Sequence, residues 1–234
     1  ARHVERHGGG GELSDIILGG QDGLVNVLGV ILGVAAATPD PNIVLAGGLA
    51  AAFAESISMG AVAFTSTQAD RDFYTAELAR EQYEIRELPE VEKEEIRQVY
   101  REYGLEGEAL EQVTAAITAN EPAWLKVMMA EELGLQPVER NPLRSALIVG
   151  LSAIAGSLIP LLPFFLVPMG VLDRMAAILI ALTVAALTLF LVGVFKARIT
   201  VGSPGRSGLQ MAAIGIVSAL AGYAIGALFG AKGG

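Results

Sequence analysis

Five segments of this chain, 15–37, 43–66, 143–167, 172–195 and 208–229, are each long enough and apolar enough to cross a lipid bilayer as a helix. The requirement is about 20 mainly apolar residues, because in hydrocarbon every backbone amide must be hydrogen-bonded within its own segment. The pattern therefore makes the chain an all-α integral membrane protein with five transmembrane helices. Composition agrees: 53% of the 234 residues are hydrophobic, only 18% are charged, and the mean hydropathy is +0.52. An ordinary soluble domain is far more polar.

The charges are segregated. Most carboxylates fall between Asp70 and Glu139, separating two spans from the other three. There the periodicity becomes that of polar helices, expected at 69–88 closed by Pro89, 90–103 ended by Gly104, 106–119, and 121–133 before Gly134. The chain thus reads as a tail (1–13), two spans (14–67), a helical insert (68–140), three spans (141–230) and a short tail (231–234). Thr38, Pro39, Asp40, Pro41 and Asn42 form a tight connection that makes spans one and two a hairpin. Span three is expected to end among Pro160, Pro163 and Pro168, with Asp173 and Arg174 marking the loop that follows.

Basic residues in short loops are retained on the cytoplasmic side. Arg2 and Arg6, Arg140 and Arg144, and Lys196, Arg198 and Arg206 fall on one side when the spans alternate; Arg174 and Lys232 are the exceptions. The N-terminus and the insert are therefore expected in the cytoplasm and the C-terminus on the opposite side. The polar, glycine-rich start from Ala1 to Glu12 does not read as a cleavable leader, so the first span is expected to insert uncleaved.

A net charge of −9 argues against nucleic acid, whose binding needs clustered Lys and Arg, and suits cations. The absence of cysteine removes disulfides, thiolate zinc sites and iron–sulfur clusters. A bound metal must then be held by oxygen, imidazole or thioether, and no organic cofactor is expected. Gly29 and Gly33 in span one, and Gly222 and Gly226 in span five, recur at four-residue spacing. Such faces let helices pack closely, which for span one suggests packing between copies; the plainer reading is that membrane helices are rich in glycine anyway.

Ionisable side chains inside apolar helices cost about 2.5–3.5 kcal/mol at the bilayer centre on insertion scales, so they mark a partner or a wet passage. Span one carries Gln21, Asp22 and Asn26, and span two carries Glu55 with Met59 one turn later. Asp22 and Asn26 share a face, as do Glu55 and Met59. Carboxylate oxygen beside thioether sulfur favours a borderline transition metal over calcium or magnesium. The plainer readings are an interfacial, solvated Asp22 and a space-filling Met59.

In the insert, Glu77, Glu81 and Glu84 lie on the first helix and Glu92 and Glu95 on the second. Met128, Met129, Glu131 and Glu132 close the fourth. Convergence would build an oxygen-rich, sulfur-flanked pocket; otherwise these are solvated faces supported by basic neighbours. Arg80, Arg86, Lys93, Arg97 and Arg101 are too few to neutralise so many acids, and crowded carboxylates repel unless a cation joins them. His3 and His7 sit in the tail at helical spacing, where a disordered segment is the simpler reading than a weak metal site. The insert has no Glu-x-x-His motif, which counts against a di-iron oxidase.

Several strings are specific in combination: Asp22-Gly23-Leu24, Ile57-Ser58-Met59-Gly60, Glu81-Gln82-Tyr83-Glu84-Ile85, Trp124-Leu125, and Met128-Met129-Ala130-Glu131-Glu132. In order and placement they resemble the vacuolar iron transporter family, from Asp15 to the end of the chain. The resemblance implies a homodimer with five spans per subunit, a path between subunits, and a cytoplasmic metal-binding domain. It implies a transporter rather than an enzyme, with ferrous iron as substrate and protons as counter-ion. By matching motifs, Asp22 and Met59 look like path residues. Glu81, Glu84, Glu92, Glu95, Met128, Met129 and Glu132 look like ligands of the insert. Plant-type members place a further path glutamate where this chain has Ala51, and Glu55, one turn later, is the substitute inferred here.

The reading is a dimeric exporter of Fe²⁺ from the cytoplasm, in a cell or organelle membrane, exchanging metal for protons. Two alternatives stay open: a membrane-anchored iron sensor or storage module without flux, and a manganese or zinc transporter of the same architecture.

Overall fold

The structure, a computed structural model, describes residues 9–200 and 202–230. His3, His7, Arg2, Arg6 and Lys232 lie outside the described residues. Among those residues every regular element is helical: α1 (Gly9–Ala37), α2 (Pro41–Glu87), α3 (Pro89–Glu102), α4 (Gly107–Thr118), α5 (Glu121–Val127), a π-helical turn (Met128–Glu132), α6 (Pro142–Phe165), α7 (Arg174–Ile199) and α8 (Pro204–Gly230). Five of these, α1, α2, α6, α7 and α8, are long and apolar enough to span a membrane. The chain divides into two compact units, one of residues 1–64 and 143–234 and one of residues 65–142.

Helix boundaries follow local chemistry. Asp40 accepts the Asn42 amide at 2.9 Å as α2 begins, Asn120 accepts the Ala123 amide at 3.2 Å before α5, and Asp173 accepts the Ala176 amide at 2.9 Å before α7. Each such cap satisfies an otherwise orphaned donor and contributes about 1 kcal/mol. Gly104 and Gly134 take positive φ of 84° and 63°, a conformation that stops a helix without the cost a Cβ would add.

One expectation is corrected. No break separates span two from the first insert helix: α2 runs 47 residues without interruption. The composition changes from apolar to acidic across it, but neither side supplies a Gly or Pro stop signal, so the helix continues. Span three ends in the expected proline-rich stretch: α6 stops at Phe165, with Pro160 and Pro163 inside it and Pro168 beyond. Each proline removes one backbone donor, a loss that closely packed neighbours in a membrane bundle tolerate.

In the membrane unit many small residues face inward and many large apolar ones outward, around a buried apolar core that includes Leu24, Leu28, Ile31, Leu161 and Phe164. On α6, Ser145, Gly150, Ala153, Gly156 and Ser157 are buried, whereas Leu143, Leu147, Leu151 and Leu162 are exposed. That inversion is what lipid selects: there is no hydrophobic gain between helices, so association depends on close backbone approach. Helix α1 is the hub. Gly23 lies against Ala153 and Ser157 of α6, and Gly156 of α6 lies against Gly20. Gly33 meets Gly226, and Gly29 meets Gly222, on the α8 side. The paired glycine faces of spans one and five thus meet each other within one chain, which takes the α1 face away from packing between copies. At its C-terminal end α1 is held by Arg174, whose guanidinium donates to the carbonyls of Ala35 at 3.1 Å and Thr38 at 3.3 Å. This explains the basic residue that broke the loop-charge pattern: it caps a helix.

The insert unit has its own small core of Ile85, Ile96, Trp124 and Met128. Around it, Arg97 bridges Glu94 at 3.1 Å and Glu111 at 2.9 Å, and Arg86 reaches Glu121 at 2.8 Å.

A Cβ at Gly226 would run into the Gly33 carbonyl. Gly226→Val is expected to destabilise the membrane unit by about 1–3 kcal/mol, the usual range for overpacking. The readout is a lower melting temperature of the detergent-solubilised protein. Gly47→Ala, whose Cβ would make ordinary contact with Val34 at 3.5 Å, should leave it unchanged or slightly raise it.

Candidate metal sites

Two clusters gather most of the residues singled out in the sequence, one in each unit. In the membrane unit, Asp22 and Asn26 project from one face of α1 and Glu55 from α2. The Glu55 carboxyl lies beside both. The α1–α2 hairpin makes this possible, because antiparallel helices bring the middle of one beside the middle of the other. Asp22 and Glu55 are half-buried and Asn26 is exposed, so the group opens at the surface of the single chain. Met59 follows Glu55 by one turn and is half-buried. Ala51 packs against the apolar core of the membrane unit, whereas Glu55 reaches the polar residues of α1.

Sequence reasoning did not single out two buried hydrogen bonds near this group. The Ser145 hydroxyl donates to Asp15 at 2.7 Å, joining α6 to the start of α1. The Ser56 hydroxyl, next to Glu55 in sequence, donates to the Gly150 carbonyl at 2.7 Å. Serine is common in membrane helices, and only tertiary packing reveals which hydroxyls tie helices together.

In the insert, Glu81 and Glu92 are 2% and 3% exposed, and one carboxyl oxygen of each, Oε2, is buried without a hydrogen-bond partner. Such orphaned oxygens are costly. Their environment is anionic as well as dry. Burial, followed by the charges of Glu95, Glu81, Glu84 and Glu132, pushes the Glu92 carboxyl up to about 8. Burial and then Glu95, Glu81 and Glu84 push Glu132 up to about 7, although Glu132 is the more exposed residue. Glu81 is raised too, by burial and by Glu84, with Arg80 opposing. Arg80 is the basic group inside the cluster: it lies 2.8 Å from Glu77, 3.6 Å from Glu81 and 3.7 Å from Glu84. One guanidinium shared among three carboxylates leaves the remaining acids uncompensated.

The donor set suits a divalent cation that replaces protons. The five glutamates influence one another, yet among the described residues no three His, Asp or Glu side chains stand in a ready-made arrangement around one ion. Of the two methionines, Met128 is fully buried in the apolar cluster with Ile85, Ile96 and Trp124, and Met129 is 2% exposed. The helix carrying them is less regular than expected. Met128–Glu132 forms a π turn, with the Leu133 amide donating to the Met128 carbonyl at 3.1 Å. π turns concentrate at functional sites. Glu131 turns the other way and accepts from the Tyr103 hydroxyl at 2.6 Å.

Comparison with known proteins decides the ancestry. The model of the VIT family matches residues 13–227 of this chain. The chain belongs to the VIT family. Vacuolar iron transporter 2 of Oryza sativa subsp. japonica is 39% identical, over 94% of this chain and 89% of its own length. Vacuolar iron transporter 1 of Arabidopsis thaliana is 34% identical, over 95% and 88%. The vacuolar iron transporter of Plasmodium falciparum is 31% identical, over 96% and 85%. Membership makes this VIT-family chain an integral membrane transporter rather than an enzyme, with both carboxylate clusters inside the matched region.

The raised carboxyls give the metal-free protein a defined pH response. A folded-state value above the unfolded one contributes stability that is complete below about 4.5 and is lost as pH rises through the folded value. For Glu132 and Glu92 the loss runs up to about 7 and about 8. Without metal, the insert is therefore expected to melt at a lower temperature at pH 8.5 than at pH 5. Glu92→Gln should flatten that slope, as read by thermal unfolding in chelator.

Proposed function

We propose that this protein exports ferrous iron from the cytoplasm across a cell or organelle membrane, in exchange for protons, and works as a homodimer. The observation that carries the proposal is the group formed by Asp22, Asn26 and Glu55 between two apolar helices. Two carboxyl groups side by side repel unless a proton or a cation lies between them. A divalent cation entering the same place needs that proton gone, because oxygen ligands coordinate in their deprotonated form. Occupancy by metal and occupancy by proton are then mutually exclusive, which is the physical requirement for antiport. Met59 supplies a thioether one turn along the path and biases it toward a borderline metal.

In the proposal the insert collects the metal. Glu81, Glu84, Glu92, Glu95 and Glu132 offer the oxygens, two of which are buried and unpartnered. Met128 and Met129 offer sulfur close to the π turn. The names of the relatives support iron as the substrate. The distribution of basic residues in the loops supports a cytoplasmic insert and N-terminus, with the C-terminus on the far side. The exposure of Asn26 and the half-exposure of Asp22 and Glu55 support a path completed by a second copy.

Proteoliposomes with an imposed pH gradient test this directly. Fe²⁺ flux is expected, and Glu55→Ala or Asp22→Ala should abolish it while leaving iron binding to the rest of the protein intact. Absence of flux in the wild-type protein would leave a membrane-anchored binding module. A rank order placing Mn²⁺ or Zn²⁺ above Fe²⁺ would reassign the substrate. Replacing Glu92, Glu95 and Glu132 together by Ala is expected to weaken iron binding at least tenfold in calorimetry under reducing conditions.

A further inference from the structure

A trough runs along the membrane unit between α1, α6 and α7, and its chemistry changes along its length. Its apolar part is a cavity of about 300 Å³ walled by side chains such as Leu24, Ile159, Leu189, Val192 and Phe195. Leu13, Ile17 and Gln21 continue from that cavity into a second one of about 590 Å³, closed on its other side by Lys196, Ile199 and Thr200. Lys196 and Thr200 then line a third, polar hollow together with Ser203, Ser207 and Arg206. One end of the trough is hydrocarbon, and the other is cationic.

The cations at that end are uncommitted. Lys196 and Arg206 form no ion pair among the described residues, whereas Glu12, an acid in the first turns of α1, is engaged by Arg144 at 2.7 Å. Depth fits as well. Lys196 lies in the last turn of α7, and Val192 and Leu189 precede it by four and seven residues. At ~1.5 Å per residue they lie about 6 and 10 Å deeper into the bilayer. A free anion would use only the mouth, and an apolar compound only the trough. An amphiphile with a phosphate and an acyl chain uses both.

We propose that the trough between α1, α6 and α7 is a binding site for an anionic phospholipid of the surrounding leaflet. Its phosphate sits on Lys196 and Arg206, and one acyl chain lies in the apolar cavity. Basic pockets between membrane helices are a recognised way of holding anionic headgroups. Gln21 lines both apolar cavities and immediately precedes Asp22, so the bound chain packs along the stretch of α1 that bears the membrane carboxylate. The inference is independent of which metal is carried.

Native mass spectrometry of the full chain, with phosphatidylglycerol and phosphatidylcholine of identical acyl chains, tests it. Phosphatidylglycerol is expected to be retained at least tenfold better. Lys196→Gln with Arg206→Gln should reduce it to the phosphatidylcholine level, and Lys196→Arg should preserve it. Ala155→Phe, which fills the apolar cavity and leaves both cations in place, should also lower retention. Equal retention of the two lipids, or phosphatidylglycerol retention unchanged in Ala155→Phe, would overturn the proposal. So would inorganic phosphate raising the melting temperature as much as phosphatidylglycerol does, since that marks a bare anion site. If the double cation variant fails to fold, the Ala155→Phe result decides.

Discussion

Close backbone contact between helices, made possible by glycine, is the interaction on which the membrane unit rests. Lipid gives apolar side chains little reason to prefer one another, so close packing at small residues, helped by interhelical hydrogen bonds, holds the helices together. Helix α1 touches α6 through Gly20 and Gly23 and α8 through Gly29 and Gly33. The face bearing Asp22 and Asn26 continues into Gly29 and Gly33 at helical spacing, and Glu55 of α2 lies beside its two polar residues. Packing fixes the rotation of α1, and the rotation of α1 decides which polar groups meet.

The insert is governed by the opposite economy. Its helices surround a small apolar cluster, and its distinguishing feature is charge brought together against its own repulsion. Arg80 relieves part of that repulsion at Glu77, Glu81 and Glu84, while Glu92 and Glu132 remain raised by burial and by their neighbours. In the proposed function a metal ion supplies what the basic side chains do not. On that reading both clusters offer carboxylates to a cation, one between membrane helices and one in the insert.

Much of this was legible in the sequence because the periodicities are strong. The five spans, the hairpin connection at Pro39 and Pro41, and the stops at Gly104 and Gly134 each rest on a local signal, and each lies close to the expected position. Asp22, Glu55 and the insert glutamates stood out because charge in an apolar helix, or acid without base, is anomalous at the level of composition. What stayed hidden depends on tertiary contact. The continuity of α2 beyond residue 67 has no marker, since a helix persists wherever nothing stops it. The π turn at Met128 and the placing of that methionine in an apolar cluster depend on the helices around it. The Gly29 and Gly33 spacing announced a close contact and suggested a second copy as its partner; the partner proved to be the last helix of the same chain.

The bond from Arg174 to the end of α1 has a further implication. A guanidinium keeps its charge at any acidity a living compartment reaches, and carbonyl oxygens do not titrate there at all. The fastening at that end is thus indifferent to proton concentration. Whatever acidity the two sides of the membrane present, that end of α1 stays tied to the start of α7.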